Sequence, residues 1–169
     1  MDFSSLYAAS SRVDLMLIGK HFENLSAGAL MPRRRGFRPA AVSRMLGKIY
    51  LIDVLDGGTD YRFRLFGTFW EKLYGFDITD QKLSELESAG HLTTLRGDYD
   101  TVVSTRKPLF HAGKLVWPGG KSVRYERLLV PLSDDDEGVS QILVAAGCDV
   151  ALDDLTLHKG KGRPQLILD

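Results

Sequence analysis

The sequence predicts an α+β domain in which helices cover one face of an antiparallel sheet. Segments with strand character come first as a pair and later as a set of three. Segments with helical periodicity lie before the pair and between the two groups. Strands and helices therefore do not alternate one by one, as they would in a parallel sheet, and five antiparallel strands are expected.

Composition and charge indicate an ordinary globular protein. The 169 residues are 44% apolar, which is enough for one core. Because 22 basic residues balance 22 acidic ones, no net field attracts nucleic acid or an anionic membrane, and neither is expected as a partner. The sequence lacks a secretory leader and any run near the roughly 18 apolar residues of a membrane helix. With Cys148 as the single cysteine, a cytoplasmic location is expected.

Residues 1–47 are predicted to form an N-terminal helical flank that ends in an arginine-rich loop. Apolar residues recur at helical spacing in two stripes, which are Phe3, Leu6, Tyr7, Val13 and Leu17, and then Leu15, Ile18, Phe22 and Leu25. A helix with so wide an apolar surface must pack against another element. The segment MPRRRGFRP breaks the period, and a short helix from Ala40 to Leu46 follows. The cluster of Arg33, Arg34, Arg35 and Arg38 is interpreted as a solvated loop, with a phosphate-binding patch as the alternative.

A hairpin opens the predicted central domain, residues 48–150. Its strands are residues 48–55 and 61–67, joined by Asp56-Gly57-Gly58, whose residues tolerate positive φ. Alternation separates Tyr61, Phe63 and Leu65 from Arg62, Arg64 and Phe66.

Helical segments follow the hairpin as far as Pro108. The first helix is expected to be capped by Thr68 and to end at Gly75 in the left-handed conformation. A second short helix is predicted for residues 80–87. A longer helix is indicated by Leu92, Leu95, Tyr99 and Val102, which recur at intervals of three or four.

Three strands and a tail complete the chain. The strands are predicted at residues 108–117, 122–132 and 139–150, separated by a Pro-Gly-Gly turn and an acidic turn. The acidic turn lacks the spacing of a calcium loop. Residues 151–169 contain Gly160, Gly162 and Pro164 and are predicted to be a flexible tail.

Several segments between about residues 20 and 148 resemble the PAS-domain family. The strand YRFRLFGT leads into a helix and then into GFDITDQKL, which fits the pattern G-x-D-(I/L)-T-x-x-x-L, and YERLLVPLSDD precedes the last strand. These segments are similar to those of a bacterial subgroup of short, stand-alone PAS proteins with no assigned ligand.

The resemblance implies a sheet of order 2-1-5-4-3 with helices from residues 68 to 106 cupped over one face. In PAS domains this cup is the usual ligand site, and it holds haem, flavins, metabolites or nothing. A flanking helix passes the signal on and often pairs in a dimer. The expected function is therefore a sensory module that binds a small apolar or aromatic ligand or a signalling partner, and that forms a homodimer or a complex through its N-terminal helix.

Two cofactor types of the family can be compared with this sequence. The photosensing flavin type requires a cysteine on a middle helix, whereas Cys148 lies near the end of the last strand, so flavin photochemistry is not expected. The haem type requires a proximal histidine on the helical segment, and His91 is the candidate.

The candidate pocket consists of amphipathic rings together with one arginine. These residues are Arg64, Trp70, Tyr74, His91, Tyr99, Trp117 and Tyr125. The alternative is that the rings only fill the core. An inward-pointing arginine on a strand is suited to a carboxylate, but Arg62, Arg64, Arg124 and Arg127 are also consistent with the solvent side of the sheet.

Signals for catalysis or metal binding are scarce. The motifs of nucleotide-binding, serine-hydrolase and zinc-protease sites are absent from the sequence, and the four histidines are scattered. Only Glu71, His91 and Glu126 could serve in proton transfer in a small enzyme. The expectation is therefore no catalytic residue and no metal site, with a purely structural interaction protein as the main alternative to a sensor.

Overall fold

The computed structural model describes residues 1–26, 28–89, 92, 94–135, 137–150 and 165–168, and its centre is one antiparallel sheet. The strands are β1 (Ile49–Leu55), β2 (Asp60–Phe66), β3 (Leu109–Val116), β4 (Ser122–Leu132), β5 (Gln141–Cys148) and β6 (Gln165–Leu168). Their spatial order is β2-β1-β5-β4-β3-β6. The order 2-1-5-4-3 that was expected for the first five strands is confirmed.

Strand β6 extends the sheet beyond the five predicted strands. It pairs antiparallel with residues 113–116 of β3, whose outer edge would otherwise present unpaired backbone groups. The sequence placed these residues in the flexible tail, because four residues after a glycine-containing stretch are too few to establish an alternation. Residues 151–164 and 169 of that predicted tail lie outside the described residues.

Five α-helices and two 3-10 segments accompany the sheet in the described part of the chain. They are α1 (Ser4–Ala9), α2 (Val13–Leu25), α3 (Thr68–Tyr74), α4 (Leu83–Ser88) and α5 (Arg96–Thr105), with 3-10 segments at Arg34–Gly36 and Pro39–Lys48. Helices α4 and α5 begin later than predicted, because Asp80 and Leu92 have φ of 66° and 54° and cannot continue a right-handed helix. None of the helices described here is long and apolar enough to cross a membrane.

The N-terminal segment forms two helices where the sequence predicted one. The break falls at Ser10 and Ser11, whose hydroxyls donate to the carboxylate of Glu126 on β4. Serine side chains that bond elsewhere weaken a helix, and this polar contact explains the interruption. The predicted apolar surface is therefore divided, since Phe3 and Leu6 are buried whereas Val13 is 64% exposed.

Helices cover both faces of the sheet and create two cores. The cup face lies under α3, α4 and α5, and its core includes Tyr50, Ile52, Tyr61, Phe63, Trp70, Tyr99, Tyr125, Leu129 and Val144. The back face lies under α1, α2 and the segment Pro39–Lys48, and its core includes Phe3, Leu6, Leu15, Phe22, Leu128, Val130 and Leu143. The added N-terminal helices thus shield the face of the sheet that the cup leaves open.

The hairpin and the start of α3 follow the predicted turn chemistry with one exception. Asp56, Gly57 and Gly58 all have positive φ, and Gly75 ends α3 with φ of 81°, as predicted. Gly67, and not Thr68, occupies the N-cap position of α3. A side-chain carbon on Gly67 would lie 2.3 Å from the carbonyl oxygen of Gly47, so glycine is required there by the close approach of the two backbones.

Candidate functional site

Strand β4 supplies the central side chains of both faces. Side chains alternate along a strand, so Tyr125 and Arg127 point into the cup while Glu126 points to the back. The cup therefore contains a charged group in its floor, between the apolar rings.

Aromatic rings pack against one another on the cup face, and Trp70, Tyr99 and Tyr125 of the predicted pocket are among them. The ring of Trp70 lies edge-on to Tyr125 with centroids 5.6 Å apart, and Tyr50 lies 5.4 Å from Trp70. Tyr99 lies 5.1 Å from Tyr61. These distances are typical of favourable aromatic pairs, so the rings form one aromatic lining under α3 and α5.

Arg127 is the charged residue of this lining, and it is 1% exposed. Its Nη2 donates to Oδ2 of Asp98 in α5, and Nδ1 of His111 lies 3.0 Å from the same oxygen. His111 and Arg127 are paired across β3 and β4. Asp98 is therefore shared by two basic side chains.

The pKa values of this group favour a charged ion pair. Burial raises the pKa of Asp98, but the hydrogen bond from His111 and the charge of Arg127 outweigh burial and hold it below its usual value. Burial lowers the pKa of Arg127, yet the neighbouring Tyr125 and Asp98 raise it above the usual value. Arg127 thus stays a cation inside the cup.

Buried tyrosines of the cup interact electrostatically with Arg127. Desolvation raises the pKa of Tyr50, Tyr74, Tyr99 and Tyr125, and each of the four also interacts electrostatically with at least one of the others or with Arg127. The four hydroxyls therefore remain neutral and can donate hydrogen bonds near the cation.

Polar atoms of the cup without a hydrogen-bond partner among the described residues include Trp70 Nε1, Tyr99 OH and Arg127 Nε. Each belongs to a side chain that is at most 1% exposed. A buried polar group without a partner costs about 1–3 kcal/mol, and native proteins satisfy nearly all such groups. Trp70 Nε1 and Arg127 Nε can only donate, so the arrangement is suited to binding hydrogen-bond acceptors.

The back of β4 holds the N-terminal helices through Glu126. Its carboxylate accepts hydrogen bonds from Ser10 Oγ at 2.5 Å, Ser11 Oγ at 3.0 Å and Arg124 Nε at 2.6 Å. Burial raises the pKa of Glu126, but these bonds outweigh burial and keep the pKa below its usual value. We call Glu126 with Ser10, Ser11 and Arg124 the back-face latch.

Arg12 adds a second polar contact between the N-terminal helices and the sheet. Its Nη1 donates to Oδ1 of Asp149 at 2.9 Å. A side-chain carbon on Gly147 of β5 would lie 2.3 Å from Arg12 Nε, so the arginine lies directly against the strand.

The structure brings together most, but not all, of the residues proposed for the pocket. Trp70, Tyr99, Trp117 and Tyr125 are buried in the cup-face core, and half-buried Tyr74 packs against it. Arg64 is exposed at a bulge in β2, where Leu51 opposes Leu65 and Ile52 opposes Phe63, and it lies outside the cup-face core. His91 lies outside the described residues.

The acid-base candidates are not brought together. Glu126 lies on the back face, whereas Glu71 is exposed on α3 beside the cup. Cys148 is buried at the end of β5, and burial raises its pKa to about 11, so its thiol is unreactive. No group of three potential metal ligands occurs among the described residues.

The sequence left Arg127 open between an inward position and the solvent side of the sheet, and the structure buries it in the cup. A usable signal was present, because Arg127 has the same position in the alternation of β4 as Tyr125, which was assigned to the pocket. Asp98 and His111 carried no such signal, since their meeting depends on how α5 crosses β3.

The sequence matches the family model described as PAS domain over residues 3–146. Among solved structures, the chain is similar to the PAS domain of Bordetella pertussis BvgS, with 18% identity and a TM-score of 0.46 over 69% of this chain and 90% of that chain. It is also similar to an RNA-binding light-oxygen-voltage receptor, with 16% identity and a TM-score of 0.45 over 76% of this chain and 39% of that chain. No curated protein sequence matches this chain significantly.

Proposed function

This chain belongs to the PAS domain family, and we propose that it is a non-enzymatic sensory or regulatory module that binds a small ligand in its cup and signals through its N-terminal helices. The observation that carries the proposal is the set of buried, unpartnered atoms on Trp70, Tyr99 and Arg127. A ligand with acceptor groups would satisfy them, and its apolar part would pack against the aromatic lining.

Strand β4 offers the route by which binding reaches the N-terminal helices. Arg127 contacts Asp98 on the cup face, and the adjacent Glu126 holds Ser10 and Ser11 on the back face. A shift of the strand that accommodates a ligand on one face alters the geometry of the hydrogen bonds from Ser10 and Ser11 on the other. Ligand binding therefore biases how firmly α1 and α2 are held.

The output is proposed to be a change in partner binding at α2. Its outer side presents Val13 and Leu17, which are 64% and 60% exposed, as an apolar contact for a second copy or a signalling protein. A cytoplasmic location is proposed as well, since the free thiol of Cys148 is stable in a reducing compartment.

Native mass spectrometry of the freshly purified full chain tests the proposal. We expect that a fraction of the molecules carries an added mass smaller than that of a dinucleotide. This added mass should disappear after the protein is unfolded and refolded. The matched variant is Trp70→Phe, which keeps an aromatic ring at this position but removes the unpartnered donor. A smaller fraction of its molecules should carry the added mass. Spectra that show only unliganded protein under all non-denaturing conditions would contradict ligand binding.

A second candidate is a structural interaction protein whose cup is filled by its own side chains. The close ring pairs Trp70–Tyr125 and Tyr50–Trp70 favour it, because they occupy cup volume without any ligand. This candidate expects only bare protein in the same spectra, together with a dimer or hetero-complex that Leu17→Glu disrupts.

A further inference from the structure

We propose that the cup ligand is a small planar carboxylate whose carboxyl group binds Arg127. This inference rests on the proposed ligand-binding function and specifies the chemistry of the ligand. It is carried by the unpartnered donors and by the way in which Arg127 and Asp98 are paired.

The unpartnered groups are best satisfied by a molecule that is rich in hydrogen-bond acceptors. Trp70 Nε1 and Arg127 Nε are donors only, and the Tyr99 hydroxyl can also donate. A carboxylate offers two oxygens with about four acceptor positions, whereas a neutral carbonyl offers one oxygen. One carboxylate can therefore satisfy Arg127 and a second donor together.

The guanidinium of Arg127 keeps one donor, Nε, that no described residue accepts from. Asp98 binds Nη2 through a single oxygen. Nε and a terminal nitrogen side by side form the edge that a carboxylate binds with two parallel hydrogen bonds. The existing ion pair does not use this edge fully.

The charges around the site can accommodate a further anion. Asp98 already has a second basic neighbour in His111, whose Nδ1 lies 3.0 Å from Oδ2. When a ligand carboxylate binds Arg127, Asp98 still keeps its contact with His111. The tyrosine hydroxyls nearby are neutral donors and add no repulsion.

The walls of the site favour a planar ligand. Trp70 and Tyr125 present rings that meet edge to face, and Tyr50 also packs against Trp70. The flat apolar part of a ligand can pack against such rings, while its carboxyl group contacts Arg127.

Thermal unfolding of the full chain tests this inference with benzoate, 4-hydroxybenzoate and indole-3-acetate, each compared with its neutral amide. At least one carboxylate is expected to raise the melting temperature, and its amide is expected to have little effect. Arg127→Gln should weaken the binding of that carboxylate at least about tenfold, because the charged bidentate contact is lost. Arg64→Gln is the matched control, since Arg64 is exposed outside the cup, and it should bind as the wild type does.

Asp98→Asn provides an independent variant if Arg127→Gln does not fold. Removal of the competing carboxylate is expected to tighten binding of the same probe, because Arg127 loses its own anion. The inference is overturned if no carboxylate of the panel binds, if the amides bind equally well, or if Asp98→Asn weakens binding. Binding of the amides alone would leave the proposed function standing, whereas bare protein in native mass spectra would remove that function as well.

Discussion

Arg127 is a strand residue that is fully buried and yet charged, and its environment explains why this is tolerated. Asp98 neutralises it, and buried tyrosines interact with it electrostatically, so the burial of the cation is partly compensated. The compensation is incomplete, because Nε has no partner among the described residues. This cation, which the protein's own groups satisfy only in part, is therefore well placed to recognise a ligand.

Asp98→Asn tests the importance of the ion pair for folding. The variant leaves the Arg127 cation buried without its anion, and we expect a loss of about 3 kcal/mol in the free energy of unfolding by urea. Asp149→Asn is the control, because Asp149 pairs with Arg12 at an exposed position and should lose less than about 1 kcal/mol. Equal effects in the two variants would argue against a buried Arg127 pair.

Glu126 predicts a defined dependence of stability on pH. Its folded pKa lies below the usual value of 4.5, so its contribution is complete above pH 4.5 and is lost as the pH falls through the lowered pKa. The difference in unfolding free energy between wild type and Glu126→Gln should therefore shrink between about pH 4.5 and pH 3. A difference that stays constant over this range would show that the latch carboxylate is not ionised.

At the scale of elements, α1 and α2 are attached to the sheet by an apolar layer and by the back-face latch. The layer includes Leu6, Leu15 and Phe22, and the latch adds the hydrogen bonds from Ser10 and Ser11 to Glu126. Apolar contacts tolerate small shifts, whereas hydrogen bonds depend on direction. The latch is therefore the part of this attachment that can respond to movement of β4.

The double substitution Ser10→Ala, Ser11→Ala is expected to loosen the N-terminal helices selectively. Loss of both donors leaves the Glu126 carboxylate less satisfied, so backbone amides in residues 4–25 should exchange with deuterium faster. Amides of β1 should change little. Ser104→Ala, which alters a surface bond within α5, is the control, and equal exchange in all three proteins would refute the latch.

The start of α3 depends on the close approach of two backbones. Gly67→Ala places a carbon 2.3 Å from Gly47 O, and we expect a loss of about 3 kcal/mol or more in unfolding free energy. Gly97→Ala in α5 meets no atom within 4 Å and should be neutral or stabilising by up to about 1 kcal/mol. Similar losses from both substitutions would contradict the close approach of Gly67 to Gly47.

At the scale of the whole molecule, the sheet separates the cup core, with Arg127, from the back-face core, with Glu126. Both faces are covered, and β4 runs through the middle of both cores. A ligand and an output surface can thus lie on opposite sides of one strand. This arrangement is what the proposed function requires of the fold.

Much of this architecture was predictable because it depends on local signals. Gly75 ended α3 as expected, and the five strands followed from alternation and turns. The break at Ser10 and the meeting of Asp98 with Arg127 were not predictable, because both arise from contacts between residues distant in sequence. The bulge at Arg64 reversed the expected faces of Leu65 and Phe66, because it shifts the alternation by one residue without a mark in the sequence.

The most direct test is a crystal structure of the full chain purified without added ligand, at a resolution that reveals ordered water. We expect continuous density larger than a water molecule beside Arg127 Nε, within hydrogen-bond distance of Trp70 Nε1 or Tyr99 OH. If these atoms instead contact only ordered water, or side chains that close the cup, the central claim of a ligand-binding sensor is wrong.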